Sequence, residues 1–300
     1  MNDTSVKGKG EKRFQIIIHI ILMIFALCAI LPFILLLSSS LTDDSVLMQF
    51  GYNFWPRKFS AYAYQYLFTS NGGGILRSYG ITILVTAIGT VIHLLVGPLL
   101  AYPLSRRDYK RAGLVTFLIF FTMLFNGGIV PSYLMWTGVF HVKNTIWALI
   151  FPTLLMNGFF IILYKNNFAT NIHPALIEAA KIDGAGEWYI YFKIILPLSL
   201  PILATIGLMV GLGYWNDWAN GLYYITDTNL YSLQLLLKSI IDNIRNLANM
   251  SVNTGSAAAS LPSNSIRMAM AVVGIIPVMV LYPFFQKAFV AGISLGGVKE

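Results

Sequence analysis

The sequence predicts an all-α polytopic membrane protein with six transmembrane helices, both termini cytoplasmic, and a short cytoplasmic helix between helices 4 and 5. Three observations lead there. The chain is 57% hydrophobic and 11% charged, with a mean hydropathy of +0.70, a combination that does not fit a soluble surface. Six apolar windows, residues 14–37, 76–101, 113–136, 144–164, 194–216 and 268–290, each approach or exceed the roughly 20 residues that a spanning helix needs. The Lys and Arg residues, finally, are distributed unevenly between alternate loops.

Residues 1–13 form a cytoplasmic segment carrying Lys7, Lys9, Lys12 and Arg13, and residues 14–300 form one membrane domain. The apolar run from Phe14 to Leu37 exceeds the roughly 7 to 15 residues of a signal-peptide core, and no A-x-A-like cleavage site follows it, so it reads as a retained span. Cys28, the lone cysteine, lies within that run, which excludes an internal disulfide and any Cys-based metal motif. With the N-terminus inside, thirteen of the twenty Lys and Arg residues fall on the cytoplasmic side. Arg106, Arg107, Lys110 and Arg111, between the second and third windows, are the tightest group among them. The net charge of +8 thus reflects topology and attraction to lipid headgroups, and nucleic acid is not an expected partner.

The third window contains FNGGIVP, Phe125 to Pro131, and the fourth contains Asn157 and Gly158. Helix breaks at membrane depth persist only where protein or a water-filled cavity satisfies the freed backbone groups, so these sites mark either a pathway or a packing kink. Two long outer loops carry Tyr, Trp and Phe suited to an interfacial belt.

No Asp, Glu or Lys sits near mid-membrane in any window, and His19 and His93 are the ionisable side chains closest to it. Ion-coupled carriers place carboxylates or His relays there. The chain also lacks G-x-x-x-x-G-K-[ST], H-E-x-x-H and G-x-S-x-G, so neither ATP hydrolysis nor hydrolytic chemistry has a motif to stand on. Catalytic and metal-binding residues are not expected, and no cofactor is expected on this chain. Uphill movement of a solute then needs energy from another protein, delivered on the cytoplasmic side.

EAAKIDGAGEW, Glu178 to Trp188, carries three of the chain's twelve acidic residues. Pro174 suits a first helical position and Gly184 a left-handed C-terminal one, which outlines a helix over about 174–184. Glu178 benefits from the helix dipole, and Lys181 lies three residues on for a pair along the helix face. A helix this short is marginal alone and must pack on something. Its small residues, Ala179, Ala180 and Gly184 among them, admit a close backbone, while Glu178 and Asp183 remain for basic partners. A helix lying on the anionic inner leaflet would carry mainly Lys and Arg instead.

The same stretch resembles the EAA loop of ABC-importer permeases. Glu178, Ala179 and Ala180 are followed by Gly184 and then by Ile194, Leu196 and Pro197 at that loop's spacing. YWNDW, Tyr214 to Trp218, and the tail YPFFQKAFVAGISLGGVKE are similar to the carbohydrate branch of that family, including the maltose and oligosaccharide permeases; the final Glu300 departs from the commoner Gly. The resemblance implies a bacterial plasma-membrane (inner-membrane) subunit of a sugar or oligosaccharide importer. It implies a heterodimer with a second permease subunit, two copies of a cytoplasmic ATPase that bind ATP and Mg, and an extracellular solute-binding protein. Glu178, Ala179, Ala180, Asp183 and Gly184 would form the coupling helix toward the ATPase, with Pro197 starting the fifth span. Gly296, Gly297, Val298 and Lys299 correspond either to a tail that reaches the ATPase or to a disordered end. Asn126, Tyr133, Trp136, Asn157, Trp215, Asn216 and Asp217 are candidates for the substrate pathway, since sugars bind aromatic faces beside hydrogen-bonding groups. For Trp215, Asn216 and Asp217 the competing role is to brace the outer end of the fifth helix.

Overall fold

A computed structural model describes residues 9–152, 155–254 and 263–296, and these are mostly helical. They form α1 (Lys9–Ser40), α2 (Asp44–Phe50), α3 (Tyr62–Ser105), α4 (Ala112–Leu124), α5 (Ile129–Leu134), α6 (Trp147–Ile150) and α7 (Gly158–Asn171). The chain continues through α8 (Pro174–Ile182), α9 (Glu187–Ile190), α10 (Leu196–Leu198), α11 (Leu200–Trp215), α12 (Ala219–Tyr224), α13 (Leu233–Thr254) and α14 (Ser263–Gly296). It divides into two compact units, residues 1–72 with 241–275 and residues 73–240 with 276–300.

In the first unit, the stretch Arg13–Ser40 of α1 is long and apolar enough to span a membrane. Its apolar side chains are largely exposed, as suits a lipid-facing helix whose backbone bonds are all internal. The chain leaves it through a small antiparallel closure between Thr42 and Phe59, with the Asp43 amide donating to the Lys58 carbonyl. The Asp43 carboxylate caps α2 by accepting from the Ser45 amide and pairs with Lys58 at 2.8 Å. Asp44 accepts from the Asn264 and Ser265 amides, each at 2.9 Å, which places an anion at the positive N-terminal end of α14.

In the second unit, Gly73–Ser105 of α3 is the other unbroken stretch of spanning length and polarity among the described residues. The third and fifth windows form bent pairs instead. α4 and the stretch Ile129–Val139 meet at 112°, and Glu187–Leu198 meets Leu200–Trp215 at 77°. Pro197 lies just before a bend at Ser199, within a helical run that begins at Glu187.

The fourth window does not form one helix. α6 has a single turn, and α7 begins only at Gly158. Among the described residues here, three carbonyls are met by side chains, as buried carbonyls require. The Tyr214 hydroxyl donates to the Ile150 carbonyl at 3.0 Å, and the Asn220 amide donates to Pro152 at 3.0 Å. His93 Nδ1 lies 2.8 Å from the Leu155 carbonyl, which requires the proton on Nδ1. His93 is fully buried against Phe160 and Tyr164. α3 reaches this region through Gly89, where a methyl group would come within 2.4 Å of the Tyr214 ring.

Candidate functional site

α8 follows α7 after two residues, and its ends are those that the sequence dictates. His173 Nδ1 accepts from the Ala175 amide, Pro174 occupies the first turn, and Gly184 adopts φ +82°. The Gly184 amide donates to Lys181 and the Ala185 amide to Ala180, the paired reverse bonds of a Schellman cap. Ile177 and Ala180 turn inward onto the buried cluster, and Ala185 packs there as well. The opposite face, Ala175, Glu178, Ala179 and Ile182 at helical spacing, is exposed. Ile182 is 86% exposed. That face combines two small residues, one carboxylate and one large apolar side chain, the chemistry of a contact surface.

Sequence spacing pairs Glu178 with Lys181, and the structure replaces that pair. Lys181 Nζ lies 3.0 Å from Glu187 and 3.3 Å from Asp108, while Glu178 has no ion pair among the described residues. Arg106, whose side chain is 11% exposed, contacts both Asp108 and Glu187. The Tyr102 hydroxyl donates to Glu187 at 2.7 Å and accepts from Arg106 at 2.9 Å. The Arg106 hydrogen bond holds the Asp108 carboxyl below its ordinary range, and the Glu187 hydrogen bond raises the Lys181 ammonium. Asp108 and Lys181 are 73 residues apart in sequence, which is why helix-face rules overlook them.

Four of the pathway candidates hold backbone. Asn126 accepts from the Gly128 amide in the α4–α5 turn, and Asn157 caps α7 through the Phe159 amide. Asn216 donates to the Leu212 carbonyl. Asp217 accepts from the Ala219 and Asn220 amides at the start of α12, and burial raises its carboxyl above the ordinary value. Tyr133 stacks on Tyr224, and Trp136 packs against Phe140 and Phe151. Trp215 is buried beside a cavity of about 340 Å³ that is also lined by Thr86, Thr90, Gly207 and Gly211. The Thr86 and Thr90 hydroxyls have no hydrogen-bond partner among the described residues. Neither threonine stands out in the sequence, because their four-residue spacing on α3 acquires meaning only opposite α11. Gly296 ends α14; Gly297, Val298 and Lys299 lie outside the described residues.

Apolar helices of spanning length, together with bent apolar pairs, define a membrane protein. The chain belongs to the family described as binding-protein-dependent transport system inner membrane component, which matches residues 77–295. It is 38% identical over 289 residues to the polygalacturonan/rhamnogalacturonan transport system permease protein YtcP of Bacillus subtilis, covering 96% of this chain and 99% of that one. It is 35% identical over 272 residues to protein LplC of the same organism, covering 90% and 89%. Its fold is similar to a chain from the crystal structure of a bacterial ABC transporter involved in the import of the acidic polysaccharide alginate, with a TM-score of 0.75, 30% identity, and coverage of 95% and 100%.

Proposed function

We propose that this chain is a permease subunit of an ATP-driven importer for a sugar or oligosaccharide, forming half of the translocation pathway. It crosses the bacterial plasma membrane six times, with both termini cytoplasmic and residues 14–300 as one permease domain. A second permease completes a heterodimer, two ATPase copies carry ATP and Mg, and an external solute-binding protein delivers the ligand. The observation that carries this reading is α8, where the EAA spacing folds into a capped helix whose outer face, Ala175, Glu178, Ala179 and Ile182, is uncovered. Closure of the ATPase pair moves the two coupling helices toward one another and switches the cavity between inward-facing and outward-facing states. The carbohydrate assignment is supported by the polygalacturonan/rhamnogalacturonan and alginate transporters to which the chain is similar.

The chain itself is the non-catalytic part, and Glu178, Ala179, Ala180, Asp183 and Gly184 are its ATPase-coupling residues. A C-terminal segment containing Gly296 to Lys299 contributes a second contact to the ATPase. Gentle-detergent purification of the tagged chain from its own host, with mass identification, tests the assembly. An ATPase and a second permease are expected in the eluate, and recovery of the chain without either contradicts the proposal. Radiolabelled oligosaccharide uptake should disappear when the chain is deleted. Loss of peptide or amino-acid uptake instead removes the sugar assignment.

A further inference from the structure

We infer that Tyr102, Arg106, Asp108, Lys181 and Glu187 form a tether that makes α8 and the C-terminal end of α3 move as one body. The inference rests on the reading of α8 as the helix that receives ATPase motion. α8 has nine residues, too few to hold its own shape or direction against a load. A push on its exposed face would tilt or unwind it unless the helix were fastened to something longer. Its inward apolar contacts are made by Ile177 and Ala180, both only partly buried.

The charged groups supply the fastening. Arg106, Asp108, Lys181 and Glu187 alternate in sign around a closed ring, and each carboxylate meets both cations. Arg106 and Asp108 lie in the connection that directly follows α3, whereas Lys181 and Glu187 flank the Gly184 turn. Three contacts cross between the segments: Arg106 to Glu187, Lys181 to Asp108, and the Tyr102 hydroxyl to Glu187. Tyr102 itself is buried within the span and carries the ring into the helix body. Asp108, Lys181 and Glu187 are all well exposed, so water screens these pairs and they add little to stability. Their geometric effect is larger, because two anchor points on either side of the Gly184 turn fix both the tilt and the rotation of α8. These five residues are therefore positioning residues for the transmission of ATPase motion, distinct from the surface that binds the ATPase.

The test uses the tagged full chain in its native complex, purified into nanodiscs, with Cys28→Ser removing the lone cysteine. Spin labels at Leu176→Cys and Lys110→Cys report the separation of α8 from the α3–α4 connection. In the otherwise unaltered complex one narrow distance is expected, with the same mean without nucleotide and after trapping with ATP and vanadate. In Tyr102→Phe/Glu187→Gln the same amount of ATPase should co-purify, but the trapped state should show a shifted or second distance. A distance that moves with nucleotide in the unaltered complex, or a double variant that behaves like it, overturns the tether while leaving docking intact. A double variant that loses the ATPase shows the ring to be part of the binding structure, which also overturns the transmission role. An unaltered chain that recovers no ATPase instead removes the docking reading beneath the inference.

Discussion

Glu178 and Glu187 lie nine residues apart and have opposite surroundings: the first faces outward without an ion pair among the described residues, the second is held by Lys181, Arg106 and Tyr102. The sequence identified the first from its motif and overlooked the second, two of whose partners, Tyr102 and Arg106, come from the C-terminal end of α3 and the residue just after it. Asp217 shows the converse. Its residue type suits a sugar contact, yet its carboxylate caps α12. Asp217→Asn preserves an acceptor and is expected to retain uptake, whereas Asp217→Ala is expected to lower stability by about 1 kcal/mol. Thermal unfolding in detergent and an uptake assay together check this; a large uptake defect in Asp217→Asn with unchanged stability restores a substrate role. Asp43 carries a pH prediction. Its hydrogen bond to Lys58, reinforced by Ser45, lowers its pKa from 3.8 to about 2. A depressed carboxylate stabilises fully above its unfolded value and loses that contribution as pH falls through its folded value. Protection of the Ser45 amide in hydrogen exchange should therefore persist at about pH 5 and fade between about pH 4 and pH 2. Lys58→Met should move that fading upward; an unchanged profile contradicts the pairing.

Among the elements, the broken windows were legible as breaks because Asn, Gly and Pro interrupt apolar runs, while their consequences were not. An apolar stretch does not distinguish a continuous helix from a buried, side-chain-satisfied segment. Between α6 and α7 the deciding acceptors among the described residues are Ile150, Pro152 and Leu155, whose partners lie on α11, α12 and α3. Both ends of α8, by contrast, were legible, since Pro174 and Gly184 act locally and require no distant partner. The approach of α3 to α11 gives a direct prediction. Gly89→Ala forces a methyl into the Tyr214 ring and is expected to cost about 1–3 kcal/mol, whereas Gly80→Ala, with nothing within 4 Å, should be close to neutral. Detergent melting curves of the two variants compare them directly, and equal stabilities would show that the helices adjust freely at this crossing.

For the whole molecule, the sequence conveyed an apolar helical chain without its own energy source, and the family match and relatives agree with a transport subunit. The count of six spans was read from windows of composition. Among the described residues, two helices qualify unbroken and two more as bent pairs. Bends of 77° and 112° interrupt the third and fifth windows, shortening each straight segment below spanning length while leaving the composition of the window unaltered. A permease that alternates access requires such interruptions, because rigid, uniformly apolar rods offer neither a polar passage nor a hinge. In the proposed mechanism α8 receives motion from an ATPase through its exposed face. The most direct measurement is a photo-crosslinking residue at Ile182, activated in intact membranes of the native host, with mass identification of the product. A crosslink to a nucleotide-binding protein, its yield changed by ATP and vanadate, is the expected result. Capture of lipid alone from a properly inserted chain would contradict it.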